Sequence, residues 1–149
     1  MCRRYSWAVP DNKTLKTIAA YSPLIEIGAG GGYWASLLHA IGADIIAFDQ
    51  KPYSNYYVDC RHFEVKRGGY STVRHYPERT LFVCWPIRDA QNALKQGLNR
   101  HYQKDLMLYI GDPLGCTCRM PANWIAEDMI DIPQWKGMYD GLFIYRRRR

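Results

Sequence analysis

The stretch Leu24 to Trp34 reads LIEIGAGGGYW. Leu24 to Ile27 has the apolar character of a short buried strand, and four of the next five residues are glycine. A glycine-rich turn between a strand and a helix lets backbone N–H groups and the helix N-terminus approach a ligand closely. Downstream, Tyr33 to Ile41 places Trp34, Leu37, Leu38 and Ile41 on one side of a helix that Gly42 ends. Ala43 to Phe48 then forms a second strand ending at Asp49. Strand, glycine turn, helix and strand in so short a span make a right-handed crossover within a parallel sheet.

The same alternation extends outward. Lys13 to Tyr21 carries Leu15, Ile18 and Ala19 at helical spacing, with Asp11 or Asn12 as N-cap and Pro23 as the stop. Thr80 to Trp85 is a nearly continuous apolar strand stopped by Pro86, and Asp89 is expected to cap a helix through Leu98 that Gly97 helps end. Leu106 to Ile110 is a further strand. Glu127 to Ile132 and Asp140 to Tyr145 are separated by a segment too short for a crossover helix, so they should pair antiparallel. The fold class is therefore α/β: a Rossmann-like, mostly parallel sheet flanked by helices, in one domain spanning 1–149. Between Gln50 and Arg79 the pattern fails. Phe63 to Lys66 is a strand candidate, but no amphipathic helix is evident, which predicts a fold trimmed between strands two and four. Aromatic and basic residues interleave there (Tyr53, Tyr56, Tyr57, Arg61, Arg67, Tyr70, Arg74), an arrangement that could face a nucleic acid. Tyrosines covering a core beneath an irregular loop are the expectation.

With 149 residues and 48% apolar content, the chain can bury a core without a disulfide or metal staple. Its formal charge of +6 includes Arg146, Arg147, Arg148 and Arg149, leaving only about +2 elsewhere. That run reads as a solvated tail, with nucleic-acid contact the rarer alternative. Five cysteines, no cleavable apolar leader and no long apolar run predict a reduced, cytoplasmic protein with no membrane span. Cys60 and His62, like Cys116 and Cys118, are one residue apart, where zinc sites usually have two or more between ligands. Ordinary thiols and no metal are expected.

The glycine turn fits some ligands and not others. A dinucleotide fingerprint counted from Gly28 finds Gly30 and then Tyr33, so its third glycine is missing. No lysine followed by Ser or Thr ends the loop, which argues against nucleoside triphosphates. What the stretch does match is an acid followed by alternating glycines, Glu26, Gly28, Gly30 and Gly32, with Asp49 closing the next strand. In this it resembles the class I S-adenosylmethionine-dependent methyltransferases. The resemblance covers the whole chain, including the leading helix and the closing antiparallel pair. It implies that S-adenosylmethionine is the cofactor, that the glycine loop passes beneath it, and that Asp49 accepts hydrogen bonds from the ribose hydroxyls. Glu26, Gly28, Ala29, Gly30, Gly32, Tyr33, Asp49 and Gln50 would form the cofactor side.

A closer similarity is to a small methyltransferase-like group with a Cys-Trp-Pro-Pro segment after strand four and an Ile-Pro-Gln-Trp-x-Gly segment between the last strands. Here these are Cys84-Trp85-Pro86-Ile87 and Ile132-Pro133-Gln134-Trp135-Lys136-Gly137, with Gly115-Cys116-Thr117 after strand five. Ile87 replaces the second proline. Cys84 stands where amino-group methyltransferases carry Asn or Asp, and Val65 to Gly69 lacks the acid often found near the adenine. Cys84, Trp85 and Asp112, at the carboxyl ends of strands, are the substrate-side candidates. The function implied is a small methyltransferase of unassigned acceptor. The alternative is a degenerate adenosyl-ligand-binding module acting through protein or nucleic-acid interaction.

Overall fold

The computed structural model describes residues 1–148; Arg149 lies outside them. Seven strands form one sheet: β1 (Leu24–Ile27), β2 (Ile45–Asp49), β3 (Val65–Arg67), β4 (Thr80–Cys84), β5 (Leu106–Gly111), β6 (Trp124–Asp131) and β7 (Gly141–Arg147). Their spatial order is β3-β2-β1-β4-β5-β7-β6. The first five run parallel, with Leu24 opposite Ile45 on one side and Thr80 on the other. β7 enters antiparallel to β5, and β6 pairs antiparallel with β7 at the edge. This is the α/β sheet the sequence predicts, with its closing antiparallel pair.

Successive residues of the central strands face opposite sides, so each buried strand serves two cores. Leu24, Phe82, Leu108 and Ile110 pack with α1 (Asn12–Ala19) and α2 (Tyr33–Ala40). Ile25, Leu81, Val83, Met107 and Tyr109 pack on the other side with Leu94 and Leu98 of α3 (Gln91–Arg100). At the start of α1 the Asp11 carboxylate accepts the Thr14 N–H at 2.8 Å, so Asp11, one of the two residues expected there, is the cap and Asn12 is the first helical residue.

Between β2 and β4 there is no α-helix, only the three-residue β3 and a 3-10 segment, Tyr70–His75. That segment packs on α3 where Gly97 leaves room: a Cβ there would sit 2.4 Å from Tyr70 Cβ. Gly97 is thus an interior packing position and does not end α3, which continues to Arg100. Asp89 does not cap α3 either. It lies in a preceding 3-10 turn, Arg88–Ala90, and Ala90 takes the cap position with no side-chain hydrogen bond.

The arginine run is not all the solvated tail that its charge suggests. Arg146 and Arg147 belong to β7, paired opposite Ile125 and Trp124. Arg146 Nε lies 2.7 Å from Glu127. Arg147 holds its guanidinium 4.7 Å from the Trp124 ring centre and donates to the carbonyls of Tyr102 (2.7 Å) and Lys104 (3.0 Å), with the Asp105 carboxylate at 3.7 Å. The strand continues past Tyr145 because these long side chains cover apolar surface and satisfy buried carbonyls, which a hydropathy pattern does not register. Arg147→Ala should therefore cost about 1–3 kcal/mol of stability. Arg148→Ala, at an exposed position, should stay within about 0.5 kcal/mol in the same urea titration.

Candidate functional site

The turn after β1 is bound to its neighbour strand: the N–H groups of Gly28 and Ala29 donate to the Phe48 carbonyl at 2.8 and 3.0 Å. Gly28, Gly30 and Gly32 have φ of +80°, +58° and +77°, a region where a Cβ is strained. Their surroundings differ. A Cβ on Gly28 would meet nothing within 4 Å, so its backbone is bare to the cavity described below. A Cβ on Gly30 would fall 2.7 Å from Val58 Cγ2, on Gly31 2.4 Å from Cys60 Sγ, and on Gly32 2.6 Å from Phe63 Cβ.

The segment pressing on those three glycines is part of the irregular region after β2. Tyr53 N–H donates to the Gly30 carbonyl (3.2 Å) and His62 N–H to the Gly31 carbonyl (2.7 Å). Tyr53 also ties the segment to β3, its hydroxyl exchanging hydrogen bonds with the backbone of Val65 at 2.8 and 3.0 Å. The segment in turn holds the N-terminal strap, residues 2–7. Asp59 N–H donates to the Arg3 carbonyl (2.9 Å), and His62 Nε2 donates to the Arg4 carbonyl (2.7 Å), since a carbonyl only accepts. Trp7 Nε1 donates to the Tyr57 carbonyl at 3.2 Å.

Strap, crossing segment, glycine turn and strand ends enclose a cavity of about 560 Å³, a size that suits a small-molecule ligand. Of the residues expected at the site, Glu26, Gly28, Ala29, Gly30, Tyr33, Asp49, Gln50, Cys84 and Trp85 line it. Two do not. Gly32 is the N-cap of α2, turned toward Phe63 and Val65. Asp112 caps the loop after β5, its carboxylate accepting the Gly115 N–H at 2.9 Å. The wall also includes Tyr5, Ser6 and Trp7, which the sequence did not flag, and Tyr56 and Tyr57, which it marked only as part of the interleaved aromatic and basic segment.

Asp49 closes β2 with each carboxylate oxygen engaged once, by Gly30 N–H (2.9 Å) and Lys51 N–H (2.8 Å). Both oxygens keep a lone pair for a ligand. Glu26 is only 2% exposed, and its Oε2 has no hydrogen-bond partner among the described residues. Burial raises its pKa to about 8; the charge of Asp49 adds to this and the Ala35 N–H opposes it. Burial, followed by the nearby Glu26 and Asp140 carboxylates, pushes the Cys84 thiol well up, against a hydrogen bond with Ser6. Cys84 is therefore a neutral thiol and a poor nucleophile.

Trp85 adopts φ of +55°, unusual for a bulky residue, and stacks on Trp7 at a centroid distance of 5.1 Å. Its Nε1 donates to Asp140 at 2.9 Å. Asp140 is held in turn by Gln134, which accepts its N–H (2.8 Å) and donates to its carbonyl (2.5 Å). The Cys-Trp-Pro and Ile-Pro-Gln-Trp segments are thus joined physically through Asp140, a residue that no sequence pattern singled out. Trp135 Nε1 adds a contact to the Ser6 carbonyl at 3.3 Å, so the second segment also braces the strap.

No protein-family profile matches the chain, and no curated protein does. Solved structures do match. A putative methyltransferase, yhhF from Escherichia coli, aligns with a TM-score of 0.57 at 15% identity, over 95% of this chain and 90% of that one. A variant of MtNAS in complex with S-adenosylmethionine aligns with a TM-score of 0.56 at 12% identity, over 92% of this chain and 61% of that one. MtNAS in complex with MTA and tNA gives a TM-score of 0.56 at 12% identity. The chain thus spans about three-fifths of MtNAS. It has the class I S-adenosylmethionine-dependent methyltransferase-like fold.

Among the described residues no group of three or more His, Cys, Asp or Glu could hold a metal ion, and no helix is long and apolar enough to cross a membrane.

The state of Glu26 sets a pH dependence. Its pKa is near 8 in the folded chain and near the ordinary 4.5 when unfolded, so the native state keeps a proton that the unfolded state releases. That stabilisation is complete below about 4.5 and lost as pH rises through about 8. Urea titrations at pH 5 and pH 8 should show a decline on the order of a few kcal/mol that is smaller in Glu26→Gln. An equal decline in both proteins would assign it elsewhere, Asp140 being the first alternative because its pKa is also raised.

Proposed function

We propose that the cavity binds S-adenosylmethionine and that the chain is a small methyltransferase. One observation carries the reading: the bare backbone of Gly28, the unpartnered oxygen of Glu26 and the carboxylate of Asp49 face a single cavity. These groups fit the ligand. Gly28 allows its amino-acid part to lie against the backbone, Glu26 offers an acceptor to its cationic end, and Asp49 has free lone pairs for the ribose hydroxyls. The S-adenosylmethionine bound by MtNAS, on the same fold, supports the assignment.

When bound, the ligand supplies a methyl group on a positively charged sulfur. The chain's part is positioning and exclusion of water, for which no nucleophile or obligatory base is needed. The stacked Trp7 and Trp85 wall off solvent on the acceptor side. Cys84 is a neutral, compact lining there, and Asp112 contributes by holding the loop after β5. The five cysteines are all free, which fits a reducing compartment, and we place the protein in the cytoplasm.

Calorimetry tests the reading. S-adenosylmethionine and S-adenosylhomocysteine should bind while NAD gives no heat; the reverse pattern would overturn it. Asp49→Ala should weaken binding by about 1.5–3 kcal/mol. Because Asp49 also fastens Gly30 and Lys51, the variant should melt earlier as well. Unchanged affinity would remove Asp49 from the ribose site.

A further inference from the structure

Resting on the proposed function, we infer that Glu26 selects for ligand charge by exchanging its proton for a cationic group of the incoming ligand. The geometry is that of an acid waiting for a partner. Glu26 lies on the same face of β1 as Leu24, buried between two neighbouring strands, and its Oε2 meets no donor. The groups that face it are Asp49 from β2, the Cys84 thiol from β4 and the Ala35 N–H from α2. Tyr33, Lys51 and Asp89 stand elsewhere on the cavity wall. No cation of the chain is bonded to Glu26 among the described residues.

An isolated buried carboxylate is costly, so the empty site holds Glu26 as the neutral acid. A ligand bearing positive charge changes that balance. For a carboxylate as deeply buried as that of Glu26 the attraction to a cation is strong, and ionisation becomes favourable once the cation is seated. The proton passes to the solvent buffer. A neutral ligand of the same shape leaves Glu26 protonated and gains nothing from it. The buried acid of the glycine motif thereby distinguishes S-adenosylmethionine from uncharged adenosyl compounds, and the affinity lost to removing its proton shrinks as the pH rises toward about 8.

The test is calorimetry at pH 6.5 in buffers of different ionisation enthalpy, which counts protons exchanged on binding. At that pH the ligand's ammonium stays charged throughout. S-adenosylmethionine should release about one proton from the native chain, and the uncharged 5′-methylthioadenosine none. Glu26→Gln should release none with S-adenosylmethionine and bind it about tenfold or more weakly. Its affinity for 5′-methylthioadenosine should match the native value, which also shows that the variant is folded. Were the variant unfolded, the native proton count would decide by itself. Binding of S-adenosylmethionine by the native chain without proton release overturns the inference and leaves the proposed function standing. An unchanged proton count in Glu26→Gln does the same. If the native chain binds neither ligand, the proposed function itself fails.

Discussion

Between Gly30–Gly32 and the segment that crosses them there is room for backbone alone, a Cβ at Gly31 falling 2.5 Å from the Cys60 carbonyl oxygen and 2.4 Å from its sulfur. Much of the site follows from that contact. With the glycines bare, the crossing segment can lie on the turn and take up the Gly30 and Gly31 carbonyls. So placed, it presents Asp59 and His62 to the strap, which becomes the roof of the cavity. The three consecutive glycines therefore serve packing, and of the four glycines in the turn Gly28 alone combines an open Cβ direction with a left-handed backbone. A side chain at Gly31 would be felt first as loss of the crossing segment and then of the roof.

The acceptor side is fixed by a second tie, in which Trp85, Asp140 and Gln134 join the end of β4 to the connection between β6 and β7. Holding a Trp at φ of +55° costs on the order of 1–3 kcal/mol, and the hydrogen bond to Asp140 and the stack on Trp7 help to offset it. The tie aims the indole across the cavity and keeps it there. On the opposite side the Asp49 carboxylate brings negative potential to the same cavity, which favours a positively charged ligand.

What the sequence made legible was what repeats or is punctuated. Buried strands such as Thr80–Cys84 are continuous apolar runs, and the glycine turn with Glu26 before it and Asp49 after it marks one wall of the cavity. The strap and the crossing segment were opaque for a physical reason. Both are irregular and are held by backbone carbonyls and single side chains such as His62 and Tyr53, so neither carries a periodic signature. The charge of Arg146 and Arg147 alone suggests a tail, whereas β7 pairs with β5 as far as Arg146 and with β6 as far as Arg147. Asp112 has the position of a site residue and the hydrogen bonds of a loop cap, a distinction only coordinates draw.

We propose that one adenosyl ligand lies over the Gly28–Gly30 turn beneath the N-terminal strap, and a crystal structure grown with S-adenosylhomocysteine is the decisive measurement. The ligand should lie against the Gly28 backbone, with the Asp49 carboxylate on both ribose hydroxyls and Trp7 and Trp85 still stacked beside it. A ligand bound elsewhere, or a glycine turn left bare at saturating ligand, would contradict it.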